Sequence, residues 1–526
     1  MRTYRLALVP LLLALGCGGG DLPSTATIVR MADNEFSPRE IRVDPGTEVW
    51  FRNMGMMPHN ALAIDGAWGA KGIGDSLEIH PGKWVPVKFN EPGVYRFYCS
   101  FHGTRDGSQG MVGTIIVGDV PLAVDSGAGR LAPVGEPTGV VRRVPSEYPG
   151  VQAAVDAAAP GDLILIGPGT YREEVQVTTP SLTIRGEDRN TVILDGEFVR
   201  ANGFGVFADG VAIENLTTKR YTLNGVFVNG VTGYRTSYVT ALNNGDYGIY
   251  VYVSSDGIIE HSYASGSPDA GVYIGACQPC RAVVHDIISE HNDLGYSGTN
   301  SGGDLYLIQS SWSDNYRNGV SPNTWDIEPV PPARGTTIIG NRIERNPGSG
   351  IHVMGASQNL IERNLIRDNG RHGILINSQR DRRFYPSIDN VIRDNVVIGS
   401  AVDLALGGVG NIGNCFEGNR YRTASPGGLA LLQRCGGARV PLVGNVNNFL
   451  GMMAGRRSLF NPSGDARGGD WWKKVPEPAP QPTMPGGATA PVVVALHPFA
   501  SYRLRLESIP LPDPTEKVIA GEVKRP

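Results

Sequence analysis

The chain has 526 residues, a formal net charge of −4 and 41% hydrophobic residues. A single core stops growing near about 250 to 300 residues, so two or more folding units are required. Lysines and arginines are scattered along the chain rather than gathered into a basic face, which argues against nucleic acid as a partner.

Arg2 and Arg5 precede an apolar run, Leu6 to Leu15, that is too short to span a bilayer and reads as a secretory signal. The stretch Leu13-Ala14-Leu15-Gly16-Cys17 resembles a bacterial lipobox, in which a lipidated cysteine becomes the mature N-terminus. That resemblance implies a signal peptide over residues 1–17. It also implies an exported periplasmic or cell-surface lipoprotein that meets the membrane only through the lipid on Cys17.

Residues 25–118 alternate apolar and polar positions between turn residues, as in Ile41-Arg42-Val43 and Val85-Pro86-Val87, and predict a small β-sandwich. It contains Pro58-His59-Asn60, Tyr98-Cys99-Ser100-Phe101-His102 and Gly110-Met111-Val112-Gly113. A thiolate, two imidazoles and a thioether suit both Cu(I) and Cu(II) in a compromise geometry. The close spacing of Cys99 and His102 fits one tight loop, with His59 arriving from an earlier loop and Met111 from the start of the last strand. Three methionines beside His59, namely Met54, Met56 and Met57, read as packing around this loop, with an apolar docking rim for an electron partner or a second Cu(I) site as the alternatives. These phrases, with Gly46-Thr47, Phe51-Arg52-Asn53 and Pro92-Gly93-Val94-Tyr95, resemble the plastocyanin-like cupredoxin family. The resemblance implies one type 1 copper, with His59, Cys99 and His102 as equatorial ligands and Met111 as the weak axial one. Eight residues separate His102 from Met111, more than in plastocyanins, and Gln109 is the alternative axial ligand.

Residues 119–145 are rich in Gly, Pro and Ala without periodicity and predict a linker. From 146 to 445 a repeat runs through Gly203, Gly225, Gly248, Gly271, Gly295, Gly319, Gly350 and Gly373, mostly in steps of 22 to 24 residues. Triplets such as Val226-Phe227-Val228 and Ile374-Leu375-Ile376 make each step one turn of a parallel β-helix. Val151 to Ala159 is helix-like and predicts a cap on the first coil. Asn244, Asn315, Asn346 and Asn369, each four residues before a repeat glycine, predict a ladder of stacked amides. With its phrase Pro160-Gly161-Asp162…Pro168-Gly169-Thr170-Tyr171, the region resembles the right-handed parallel β-helix family of pectin-lyase type. Residues 446–526 form a Pro-rich C-terminal extension containing Trp471 and Trp472, read as a tail along the solenoid. The expected fold is therefore all-β, a cupredoxin β-sandwich followed by a right-handed parallel β-helix solenoid.

If the first and third positions after each glycine point inward, the second and fourth form an outward column. It contains Tyr250, Tyr252, Tyr273, Asn323 and His352, substrate-binding candidates for a sugar polymer if the column is open, whereas structural tyrosines covered by the tail are the alternative. Asp246, Asp269 and Asp293 stand two residues before their glycines, with Arg317 in the next coil, and are the catalytic candidates. Aspartate is also common in turns for backbone reasons. Cys277 with Cys280, and Cys415 with Cys435, are expected as disulfides in an oxidising compartment. His261, His291 and His372 read as turn or surface residues. Exported β-helix groups resembling this region include polysaccharide lyases, uronate epimerases, pectin esterases and a copper-loading maturation protein, but the catalytic phrases of the epimerases, pectate lyases and esterases are absent here.

Three functions follow as expectations. The first is one-electron transfer through copper to a redox partner protein, passing through the exposed edge of His102, with the solenoid binding a glycan or protein. The second is a carbohydrate-active β-helix enzyme with an accessory copper domain. The third is a copper-delivery factor that depends on Cys277 and Cys280.

Overall fold

A computed structural model describes residues 26–32, 34–55, 57–71, 78–120, 139–326, 328, 330–437, 469–492, 497–502 and 504–515. The expected signal segment with Cys17, Met56 and most of the expected linker lie outside the described residues. The chain divides into two units, Met1–Ser126 and Gly127–Pro526.

Among the described residues, period-two alternation builds nine strands in the first unit: β1 (Thr27–Ala32), β2 (Glu35–Ser37), β3 (Glu40–Val43), β4 (Thr47–Asn53), β5 (Ala61–Ala63), β6 (Gly69–Ala70), β7 (Trp84–Phe89), β8 (Gly93–Gly103) and β9 (Gly110–Val117). They form two sheets, in the orders β2-β1-β4-β7 and β3-β9-β8-β5-β6. In β4, Val49, Phe51 and Asn53 are buried while Glu48 is exposed. Phe36, Phe51 and Phe97 meet edge-on in the core, with ring centroids 4.7 to 6.5 Å apart.

Among the described residues, the second unit is a solenoid of three parallel sheets with 12, 10 and 11 strands, to which successive coils contribute in turn. Its first strand, Val141–Val144, falls within the expected linker and pairs with Leu163–Ile166. The helix Val151–Asp156 buries Val151, Ala154 and Val155 against the first coils, and Glu173 caps it by accepting the Val151 and Gln152 N–H groups. A side chain at a repeat glycine would strike the next coil: a Cβ on Gly225 would lie 2.6 Å from the Gly248 carbonyl oxygen, and one on Gly295 would lie 2.5 Å from that of Gly319. That contact explains a glycine recurring once per coil. The residues after these glycines, Val226, Ile249, Val272, Val320, Ile351 and Ile374, point inward into one continuous core.

The amide ladder runs through Asn292, Asn315, Asn346 and Asn369, each side-chain N–H donating to the next amide oxygen at 2.9 to 3.3 Å. Asn244 occupies the same column, but Ser267 separates it from Asn292. A second ladder, Asn341, Asn364, Asn395 and Asn419, lines another corner.

The C-terminal extension lies along the solenoid. Asn243 donates to the Trp472 and Val475 carbonyls, Arg189 to Pro482, and Arg185 to Ala490 and Pro491. Further on, Tyr502, Ile509, Phe499 and Leu506 pack against Ile258, Val283, Ile308 and Ile339. Of the late apolar run, residues 493–496 are outside the described residues.

Candidate functional site

In the sandwich, β8 carries both Cys99 and His102, and the segment before β5 carries His59. His59 is pinned by exchanging backbone hydrogen bonds with Ile79, at 3.2 and 2.7 Å. The three side chains are fully buried, and their donor atoms converge. His59 Nδ1 lies 3.1 Å from His102 Nδ1, and Cys99 Sγ lies 3.9 and 3.6 Å from these nitrogens. A trigonal ion about 2.0 Å from each nitrogen and about 2.3 Å from sulfur calls for separations of roughly 3.5 and roughly 3.7 Å. The triangle therefore fits a metal of that size. Cys99 is a free thiol among four disulfide-bonded cysteines in the described residues. Burial, and after it the neighbouring charge of His59, pushes His102 well below its ordinary pKa and keeps the ring neutral, as a ligand must be.

The eight residues between His102 and Met111 are taken up by a closed turn. Thr104 N–H donates to the Gln109 carbonyl at 3.0 Å, and Thr104 Oγ1 accepts from Ser108 and Gln109 N–H. Gly103 then pairs with Gly110, which sets the buried Met111 beside the segment that carries Cys99 and His102. A Cβ on Gly103 would lie 2.6 Å from the Met111 carbonyl oxygen, so only glycine permits this approach. Gln109 is half-buried, and its backbone closes the turn.

Sequence reasoning missed the residues that lock the two ligand segments together. Buried Asn60 donates to Ser100 Oγ at 2.8 Å and accepts from Ser100 N–H at 2.9 Å. Each follows a candidate ligand directly in sequence, which is the signal that could have found the pair. Asn53 likewise holds the carbonyls of Met57 and Ile79 at 2.7 and 2.6 Å. Asn60→Ala is expected to destabilise the sandwich by about 2 kcal/mol and to weaken copper binding roughly ten- to a hundredfold, checked by denaturant unfolding and by chelator competition.

Residues 24–118 match the copper binding proteins of the plastocyanin/azurin family, and residues 330–446 match the right handed beta helix region. The plastocyanin of Sambucus nigra is 32% identical over 90 residues, which cover 16% of this chain and 86% of that relative. The chain belongs to the plastocyanin/azurin family through this domain. The plastocyanin of Ginkgo biloba is 31% identical over 13% of this chain and 75% of its own length. Amicyanin-alpha of Methylorubrum extorquens is 29% identical over 16% of this chain and 68% of its own. The A-module of a mannuronan C-5 epimerase from Azotobacter vinelandii aligns over 52% of this chain and 94% of its own, at 16% identity and a TM-score of 0.38.

In the plastocyanin/azurin domain the expected exposed edge of His102 is not found, because the ring is wholly buried. Its neighbour Phe101 is half-buried, with its ring 6.2 Å from that of His102.

In the solenoid the outward column is also covered. Tyr250, Tyr252, Tyr273, Asn323 and His352 are all buried, so they present no open aromatic strip. Phe227 stacks on Tyr250 at 5.1 Å. Glu328 accepts from the Tyr252 and Tyr273 hydroxyls at 2.9 and 3.4 Å, and Val330 packs on the same cluster. Both belong to the excursion that lengthens the repeat between Gly319 and Gly350. Burial, and then His372, Arg317 and Arg371, push His352 down to about 3. Asp246, Asp269 and Asp293 do stack in successive coils, through the Asp269 N–H to the Asp246 carbonyl and the Leu294 N–H to the Asp269 carbonyl. Arg317 is ion-paired with Asp293. Cys277 is bonded to Cys280 and Cys415 to Cys435, so in this oxidised state neither pair offers a thiolate to a metal.

Proposed function

We propose that the plastocyanin/azurin domain holds one type 1 copper through His59, Cys99 and His102, with Met111 as axial ligand, and serves as a one-electron carrier for a redox partner protein. The observation that carries this reading is the buried triangle of two ring nitrogens and one thiol sulfur, with edges of 3.1, 3.6 and 3.9 Å. When bound, copper supplies a reversible Cu(II)/Cu(I) couple.

The chain's own residues supply the rest. The Asn60–Ser100 clamp and the His59–Ile79 bridge fix the ligand-bearing segments before metal arrives, which limits rearrangement when the charge changes. Burial of all three donors excludes water from the metal, and a neutral His102 directs its lone pair inward. The partner would dock near Phe101, the half-buried ring beside His102.

We further read the protein as exported and anchored through Cys17, with the solenoid localising the redox chemistry by binding a glycan or a protein. The buried tyrosine column removes the support that an open sugar-binding strip would have given an enzyme. The Cys277–Cys280 bond takes away the thiols on which the delivery reading depended.

The test is the visible and electron-spin-resonance spectrum after Cu(II) addition. An intense band near about 600 nm that vanishes in Cys99→Ser is expected for copper–thiolate ligation. A spectrum indifferent to Cys99 would overturn the proposal.

A further inference from the structure

A second cluster of metal-binding side chains lies in the solenoid, on residues outside the copper-binding sandwich. The strands Ser255–Glu260 and Ala282–His285 are neighbours in the first sheet, and Glu260 is paired with His285. The next residue of each coil, His261 or Asp286, makes the corner in the left-handed region, with φ of 51° and 52°. Stacking thus assembles a block of four, Glu260-His261 over His285-Asp286. Each of the four is buried, and donor atoms of Glu260, His261 and His285 lie within 4.8 Å of one another.

Asp286 decides which nitrogen of His261 is available. Its Oδ2 lies 2.6 Å from His261 Nδ1, and a carboxylate oxygen only accepts, so Nδ1 carries the proton and, in the neutral ring, Nε2 carries the lone pair. Nε2 then faces Glu260 Oε2 at 3.6 Å. Two acceptors at that distance share no hydrogen bond. The separation is close to the roughly 3.4 Å between donors that lie about 2.1 Å from one tetrahedral ion. The other oxygen of Glu260, Oε1, accepts from Arg235 Nε at 2.9 Å, which turns Oε2 toward the histidine. A carboxylate behind a ligating imidazole is the usual means of orienting such a ligand.

We propose that Glu260, His261 and His285 bind a single first-row transition-metal ion, with copper favoured over zinc. Two imidazoles and one carboxylate are a borderline donor set, and at such sites Cu(II) binds most tightly in the divalent series. Around the block, Arg185 pairs with Glu214, Arg235 pairs with Glu260, and Arg189 donates to the His261 carbonyl at 3.0 Å. Tyr502 of the C-terminal extension closes one side, its ring 6.2 Å from that of His285. The His261 side chain keeps 10% of its exposure and marks the way in. The competing occupant of the gap is a proton on His261, which would complete an ion pair with Asp286 and need no metal.

The test uses the full chain carrying Cys99→Ser and His102→Ala, which removes two donors of the sandwich triangle. After Cu(II) loading and desalting, mass-spectrometric metal analysis is expected to find one copper per chain, with no band near about 600 nm. Adding His285→Phe is expected to weaken binding at least a hundredfold. X-ray absorption on the loaded chain with His285 intact, expected to find two imidazoles and an oxygen ligand, keeps the test independent of whether the phenylalanine variant folds. No retained copper would mean that a proton alone fills the gap and would overturn the proposal. Retention unchanged by His285→Phe, or a spectrum with fewer than two imidazoles, would overturn it as well.

Discussion

Arg235→Met is expected to lower the unfolding free energy of the solenoid by about 3 to 5 kcal/mol, measured as a lower urea midpoint at pH 7. Arg235 lies between two carboxylates that are both wholly buried. It is ion-paired with Glu214 and donates to Glu260 at 2.9 Å. Glu214 would retain Arg185 at 2.7 Å, whereas Glu260 would lose its guanidinium. Most of the expected cost is the desolvation of that stranded charge rather than the worth of the pair itself. The double variant Arg235→Met/Glu260→Leu is therefore expected to be more stable than the sum of the two single losses predicts. Additive losses would show that Arg235 and Glu260 are not coupled.

That charged row was not legible in the sequence, although the glycine repeat was. Seven of the eight repeat glycines share one steric cause, a carbonyl of the next coil within 2.8 Å of where a Cβ would sit, so they recur mostly at a step of 22 to 24 residues. Arg185, Glu214, Arg235 and Glu260 are 29, 21 and 25 residues apart, because Ser237 occupies the register position between the two glutamates and Arg235 reaches them from two residues earlier on its strand. The inward and outward assignment of the strand after each glycine followed from the pleat and held for Val226, Ile249 and Val272. Period two says which way Tyr250 points but not what lies over it. The clue was the 31-residue step from Gly319 to Gly350, whose surplus carries Glu328 and Val330 over the tyrosines. The sandwich was more readable because Cys99 and His102 are close in the chain and one short segment sets most of the geometry. The burial of His102 depends on packing from other loops, which spacing does not encode. Asn292 was missed in the ladder because it stands three residues before its glycine, while the recognised members stand four before theirs.

Asn364→Leu is expected to cost the solenoid about 3 kcal/mol or more, whereas Asn419→Leu in the same ladder is expected to cost about 1 kcal/mol. The two substitutions are chemically identical, so the contrast isolates the ladder's interior from its end. Buried Asn364 accepts from the Asn341 backbone N–H at 2.9 Å and from the Asn341 side chain at 3.0 Å. It donates to the Ile338 and Glu362 carbonyls at 2.8 and 3.1 Å, and to Asn395 Oδ1 at 3.0 Å. Leucine occupies similar space but offers none of these five bonds, and the groups stripped of them face no water that could replace the amide. Asn419 is half-buried, donates to Ile392 at 2.8 Å and accepts from Asn395, so solvent can reach part of what its removal exposes. Urea unfolding gives the two costs, and amide exchange localises them, because the Asn341 N–H should exchange faster in Asn364→Leu and stay protected in Asn419→Leu. Equal costs for the two variants would mean that the strand ladders alone hold the corners and that the stacked amides contribute little.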